Sequence, residues 1–553
     1  MRTVRKISIA LILLVGLLFT IQSCQTDIEE EPIPQQTTND VSSHQLGKKL
    51  ENPYSVKNMQ KALNNLLGKN KGSTDTILPS HLYLKFIPLD ELELDRLDSL
   101  RYISEYPLDY EIIEGESCYR DPEVPDDQPT FQYTSIKIGD EIPNVNYEII
   151  EELYIPEEDS EFSNKSKISV DQLVNEALRI TNNLSDIKDD TKGSWRPAGT
   201  IRVWDDVGRK DVYGNSLGKY IPLRGVKVEA RRWFTVHTGI TDANGNYTCD
   251  GTFSLDANYK IVWERAYYDI RDGVWGQAIY NGPKQNKNWN IDIGSETNEN
   301  KSMRYAHIHR AAYRYYYDYV LDLDRPIISG GKMKISYFNR ENNDLINGCI
   351  GLGLFEPTFS SIFGGGLVSQ IRIFGKSCDG SWQKTDRVFS TTAHELTHAA
   401  HLIHMGNIQF WQVSDFISES WARACEIEIS KYEYRIYLNN GNSYSNPRQE
   451  YFDSYVGWHL PCVDCSDDKN DAMKKYTPVF YDLIDTNNQY NSIYNNDVPY
   501  DNISGYTLSG IQDEVLYQSY GLVSLRDKLR NYRPTNITTE NINNYLSFYF
   551  NNM

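Results

Sequence analysis

The sequence predicts a multidomain chain of mixed class: an α+β N-terminal module, an all-β block, and an α+β domain that ends in a helical lobe. Three observations predict it. The chain has 553 residues, more than one ordinary hydrophobic core serves. Residues 197–294 carry short apolar-alternating runs separated by turn signals. Residues 295–553 carry a tyrosine-rich helix, strand candidates, a histidine-bearing helix closed by Gly406, and further helical runs.

Composition fits folded domains. Hydrophobic residues make up 40% and aromatics 12%, with 40 tyrosines, which is globular rather than disordered. The formal net charge of -20 repels a phosphate backbone, so nucleic acid is excluded as an expected partner.

The N-terminus reads as a processing signal. Arg2, Arg5 and Lys6 precede an apolar run of 15 residues, Ile7 to Ile21, short for a membrane span of about 20. Ile21-Gln22-Ser23-Cys24 follows. This resembles a bacterial lipobox, with Gln22 where a small residue is usual. Asp27, Ile28 and Glu29-Glu30-Glu31 resemble the acidic surface-export signals of lipoproteins in Bacteroidetes-type bacteria. The resemblance implies a signal peptide over 1–23 and lipidation of Cys24. It implies a protein held at the outer membrane or cell surface by that anchor. Seven cysteines remain: Cys118, Cys249, Cys349, Cys378, Cys425, Cys462 and Cys465. An odd number leaves at least one unpaired within the chain. Cys462-Val463-Asp464-Cys465 lacks a second pair, so a local disulfide or free thiols are expected there rather than a structural zinc.

Residues 24–75 are polar and turn-rich and read as a tether, with one helical patch at Val56 to Leu67. Over 76–160, Leu82 to Pro88 predicts a strand and Asp90 to Leu100 a short helix. Pro-rich turns follow, and Tyr147 to Pro156 closes the block. This text resembles an N-terminal module of Bacteroidetes surface lipoproteins and carries no evident chemistry. Over 161–196, Val170 to Asn183 predicts a helix before a linker. In the all-β block, Gly225 to Ala230 alternates at period two, Asn244-Gly245 signals a hairpin-type turn, and Tyr259 to Trp263 is a strand. Pro222-Leu223-Arg224-Gly225-Val226, with Thr241-Asp242 and Gly245-Asn246-Tyr247, resembles the carboxypeptidase regulatory-like β-sandwich, usually an accessory module.

In 295–553, a helix is expected from Ser302 to Leu321. Strands are expected at Met333 to Tyr337, Cys349 to Leu354 and Val368 to Phe374, with a loop at Gly364-Gly365-Gly366. The motif helix runs from Asp386 to Met405. Further helices are expected at Phe416 to Tyr432, Tyr476 to Ile484, Thr507 to Gln518 and Leu522 to Asn531.

The motif is His394-Glu395-Leu396-Thr397-His398. Histidines at i and i+4 lie about 40° apart around a helix and one turn apart along it, so both imidazoles can meet one metal. The glutamate between them points to the same side and can reach a water on that metal. Zinc lowers the pKa of such a water to about 7, and the carboxylate takes its proton as it attacks a carbonyl. Ala393, Leu396, Ala399, Ala400, Leu402 and Ile403 supply the apolar stripe of a buried platform.

A third ligand has two candidates. Glu419, 21 residues past His398, opens the next helix. That arrangement resembles the gluzincin branch of the zincin peptidases and implies zinc held by His394, His398 and Glu419, with Glu395 as general base. Thermolysin-like members have an aspartate four residues after the ligand, where this chain has Arg423, so the histidines' supporting carboxylate falls to Asp415 or Glu426. His404 is the alternative, because His394, His398, His401 and His404 follow the metzincin register. That family needs glycine where His401 stands, and on a continuing helix His404 lies about 15 Å along the axis from His394. Glu419 is therefore preferred. His459, Tyr451 and Tyr455 are candidates to hold an oxyanion, and Val368 to Phe374 is the expected sheet edge for an extended peptide.

The reading is an exported, lipid-anchored zinc peptidase acting on protein or peptide substrates, most simply as an endopeptidase. The alternatives are a surface binding or adhesion lipoprotein with an inactive zincin-like domain, or a zinc hydrolase of a different amide. Residues 25–196 are also considered as an inhibitory prodomain, from their position and acidity.

Overall fold

Ser55, Asp90 and Ser169 each stand before an amphipathic run, and each side chain accepts a hydrogen bond from the helix it opens. The helices are α1 (Val56–Leu67), α2 (Glu91–Arg96) and α3 (Val170–Ile180). They belong to a computed structural model that describes residues 46–553 apart from 69–75, 118, 126–127, 157–167, 188–192, 212, 214, 319, 341–342, 345–347, 350–352, 356–369, 378, 439–475, 489, 491–497 and 553. The signal sequence, Cys24, the triple-glycine loop and the Cys462–Cys465 pair lie outside the described residues. Cys249 and Cys425 are buried and free. No helix among the described residues is long and apolar enough to cross a membrane. All elements named here belong to one compact unit, residues 43–553.

The first block contains β1 (His81–Phe86), β2 (Gly115–Ser117), β3 (Gln132–Lys137) and β4 (Tyr147–Leu153). β1 lies between β3 and β4, antiparallel to both. Tyr54, Met59, Tyr83, Leu173 and Leu178 share a core with Trp233 and Phe234, which come from the next block. Trp233 takes a φ of 51°, unusual for a bulky side chain. It is held by its indole N–H, which donates to Asp186 at 3.1 Å.

The second block contributes β5 (Ala198–Lys210), β6 (Ser216–Pro222), β7 (Lys227–Arg232), β8 (Thr235–Ile240), β9 (Asn246–Thr248), β10 (Ala257–Val262), β11 (Tyr268–Asp272), β12 (Gly276–Gln277), β13 (Ile279–Gln285) and β14 (Ile291–Ile293). One sheet runs β2-β13-β10-β7-β8; a second runs β14-β5-β6, with β9 also on β5. Ile201, Val203 and Ile221 of one sheet meet Val228, Ala230, Tyr259 and Ile261 of the other in one core. The Asn244-Gly245 turn forms, with Gly245 at φ 77°. It does not close a hairpin, because β9 pairs with β5 rather than β8. The turn carries the chain from one sheet to the other.

The third block contributes β15 (Met333–Phe338), β16 (Asn343–Asp344), β17 (Gly348–Cys349), β18 (Gly353–Phe355) and β19 (Ile371–Phe374). Its main sheet runs β12-β11-β15-β19-β18, with β11, β15 and β19 parallel and both edge strands antiparallel. Strands from both sides of residue 294 thus build one sheet. β16 and β17 form a separate two-stranded ladder, so the run expected as one strand at Cys349 to Leu354 divides between two sheets.

The helices of this block are α4 (Lys301–Tyr317), α5 (Thr385–Met405), α6 (Asn407–Phe410), α7 (Asp415–Arg435), α8 (Leu508–Glu514), α9 (Leu522–Asn531) and α10 (Thr539–Asn552). α5 packs between α4 and α7. The run expected as a helix at Tyr476 to Ile484 forms turns rather than a regular helix: Asp482 N–H reaches Pro478 O at 2.8 Å and Asp485 N–H reaches Tyr481 O at 3.1 Å. Val479, Phe480, Tyr481 and Leu483 are buried, so packing holds these turns where length alone does not.

Candidate metal centre

α5 is buried along nearly its whole length, which fixes the direction of its side chains. His394 and His398 project one turn apart, with ring centroids 4.8 Å apart. Their Nε2 atoms are 3.1 Å apart. Glu419, in the second turn of α7, brings Oε2 to 3.2 Å from His394 Nε2 and 3.3 Å from His398 Nε2. Three donor atoms therefore form a near-equilateral triangle, drawn from two helices.

That triangle has the size a metal ion needs. Ligand bonds of about 2.0–2.1 Å in a tetrahedral site put neighbouring donors about 3.3 Å apart. Two imidazole nitrogens and one carboxylate oxygen fit that donor set. A second convergence of Asp482, Asp485 and Asp501 offers only carboxylates.

The electrostatics match a cation site. Burial raises the Glu419 carboxyl, but the His398 and His394 imidazoles beside it hold it well below the usual range. Burial lowers the His394 pKa, yet its contacts with Glu419 and Glu426 outweigh this and raise it. Two carboxylates thus favour positive charge at this imidazole.

Glu419, Arg423 and Glu426 lie at i, i+4 and i+7, one stripe of α7 facing α5. Glu426 is fully buried. Its Oε2 stands 3.2 Å from His394 Nδ1 and accepts a bond from Arg423 Nη1 at 2.6 Å. Arg423 therefore neutralises the carboxylate that supports the histidine. Of the two supports considered from sequence, Glu426 occupies the place, while Asp415 begins α7.

Glu395 is 6% exposed and faces β18. A Cβ built on Gly353 would fall 2.5 Å from Glu395 Oε1 and 2.5 Å from Thr391 Cγ2. A side chain at this position would have to displace Glu395 or Thr391. The expected substrate edge needs correction here. β19 is an interior strand between β15 and β18, because the chain first lays down β18 outside it. Among the described residues the edge beside Glu395 is β18, with Leu354 exposed.

The other histidines are not brought to the triangle. His401 is 1% exposed, and neither ring nitrogen has a hydrogen-bond partner among the described residues. Burial pushes its pKa down to about 3, with His398 adding to the effect. Its ring meets Phe410 edge-on at 5.1 Å. His404 stacks on Tyr517, and its Nε2 lies 3.0 Å from Arg325 O. His459, Tyr451 and Tyr455 lie outside the described residues.

Tyr476 was not singled out from the sequence. Its ring is 5.9 Å from that of His394, and the Arg423 guanidinium sits 4.5 Å over it. Nothing local in the sequence marks it, since its neighbours His394 and Arg423 are distant from it in the chain.

Comparisons with protein-family models, with curated proteins and with solved structures find no match for this chain.

Proposed function

We propose that this chain is a zinc-dependent hydrolase of gluzincin type that cleaves peptide bonds, exported and anchored through a lipid at Cys24. The observation that carries the reading is the His394–His398–Glu419 triangle, with edges of 3.1–3.3 Å, beside Glu395. Zinc suits two imidazoles and a carboxylate with an open fourth position, and it supplies Lewis acidity to water and to a carbonyl when bound there.

The chain's own residues supply the rest. His394, His398 and Glu419 would hold the ion, and the Glu426 carboxylate, 3.2 Å from His394 Nδ1, holds that ring in place. Glu395 accepts the proton of the attacking water and can return it to the leaving amine. Among the described residues β18 is the edge strand of its sheet, and it lies next to Glu395, where an extended peptide can add as a strand. Peptides fit that edge better than small amides do, which favours a peptidase. Tyr476 and Arg423 form the wall beside His394.

Cleavage of a mixed peptide library by the whole protein, beside Glu395→Gln, tests this reading. Turnover abolished in Glu395→Gln while bound zinc is kept is the expected result. Zinc without turnover in the wild type would instead favour a surface-binding protein with an inactive site.

A further inference from the structure

The two helices that carry the metal ligands meet an acidic dipeptide from the β block. In a regular strand, neighbouring side chains point to opposite faces. β5 is not regular there: its register against β6 shifts between Asp205 and Arg209. A bulge re-aims side chains, and here Asp205 and Asp206 both reach the helices.

Asp206 closes the start of α5. The residue before that helix, Lys384, makes no side-chain cap. Instead Thr385 N–H donates to Asp206 Oδ2 at 3.0 Å, and Asp206 N–H donates back to Thr385 Oγ1 at 2.9 Å. The indole N–H of Trp204 donates to Asp206 Oδ1 at 3.2 Å and orients the carboxylate. The pair thus reproduces a reciprocal helix cap across 179 residues of sequence. The carboxylate also meets the positive end of the helix dipole.

Asp205 joins three helices. It is fully buried. It accepts from Arg310 of α4 at 2.5 Å, from Tyr434 of α7 at 3.0 Å and from Thr385 of α5 at 3.4 Å. Arg310 continues to Glu433 of α7 at 3.0 Å. One carboxylate therefore ties the helix of His394 and His398 to the helix of Glu419.

We infer that Asp205 and Asp206 are positioning residues for the metal centre, and that the β block is part of that centre rather than an appendage. The inference rests on the metal site proposed above. Asp206 sets the start and rotation of α5, and Asp205 sets α5 against α7. A triangle with edges near 3.2 Å tolerates little drift between two helices, so loss of either tie opens it.

The test uses the whole protein with Asp206→Ala and Asp206→Asn, since asparagine also caps a helix and alanine does not. Zinc affinity is measured by chelator competition. Amide hydrogen exchange across 385–398 is measured in the metal-stripped protein. Asp206→Ala is expected to weaken zinc binding about tenfold and to speed exchange in α5, while Asp206→Asn stays close to wild type in both. If Asp206→Ala lowers the melting temperature but leaves zinc affinity and α5 exchange unchanged, the positioning role is overturned. If the wild type binds no zinc, the metal reading fails. Exchange in α5 still decides whether Asp206 orders this helix.

Discussion

Glu426 Oε2 lies 3.2 Å from His394 Nδ1, the ring nitrogen that does not face His398 and Glu419. A carboxylate beside Nδ1 favours the tautomer protonated there, which would leave the Nε2 lone pair for a metal in the triangle.

Glu426→Gln keeps the size of this side chain and removes its charge. Zinc affinity is expected to fall about 10–100-fold, as for other supporting partners of metal-bound histidines. Chelator competition measures it, and unchanged affinity would remove Glu426 from the site's support.

Gly353→Ala places a methyl group 2.5 Å from Glu395 Oε1. Zinc should remain, because no ligand is touched. Turnover should drop by about a hundredfold or more, the scale of losing a positioned general base. Zinc content and kcat, measured on one preparation, separate the two effects.

Asp501 gives a pH dependence. Burial pushes its carboxyl from 3.8 up to about 8, with Asp485 adding to the effect against a bond from Ile503 N–H. The folded chain holds this proton where the unfolded chain releases it. The stabilisation is therefore fully present below the ordinary carboxyl pKa and is lost as pH rises towards 8. Wild-type melting temperature should fall from pH 5 to pH 8.5 more steeply than that of Asp501→Asn. Parallel curves would contradict the shift.

The first block docks through buried charge. Arg271 of β11 donates to both oxygens of Glu91 at 2.7 Å, and Lys334 of β15 reaches Asp95 at 2.7 Å. Glu91→Gln removes a charge from this cluster and is expected to cost about 3 kcal/mol of stability in urea unfolding, as broken buried pairs do. Activity per folded molecule should not change, because these bonds lie on β11 and β15 rather than on α5 or α7. A rise in activity would support the inhibitory-prodomain idea.

The candidate site was legible where chemistry follows helical spacing. His394, Glu395 and His398 needed only i and i+4, and Glu419 needed a second helix at a plausible distance. The β block was legible from period two and turn residues. What stayed hidden depends on partners distant in sequence. Nothing in Tyr268 to Asp272 says that it pairs with Met333 to Tyr337 rather than within its own block. The cap on α5 could not be found at Lys384, because its donor and acceptor sit on β5. Helix α10 carries buried Ile542, Tyr545, Leu546 and Tyr549 at helical spacing. Its asparagines, poor helix formers, mask that pattern.

The most direct test is zinc stoichiometry by elemental analysis in the wild type and in Glu419→Ala. The account predicts about one zinc per chain in the wild type and its loss in Glu419→Ala, with the fold kept. A wild type free of zinc, or a Glu419→Ala protein that holds zinc as tightly as the wild type, would contradict it.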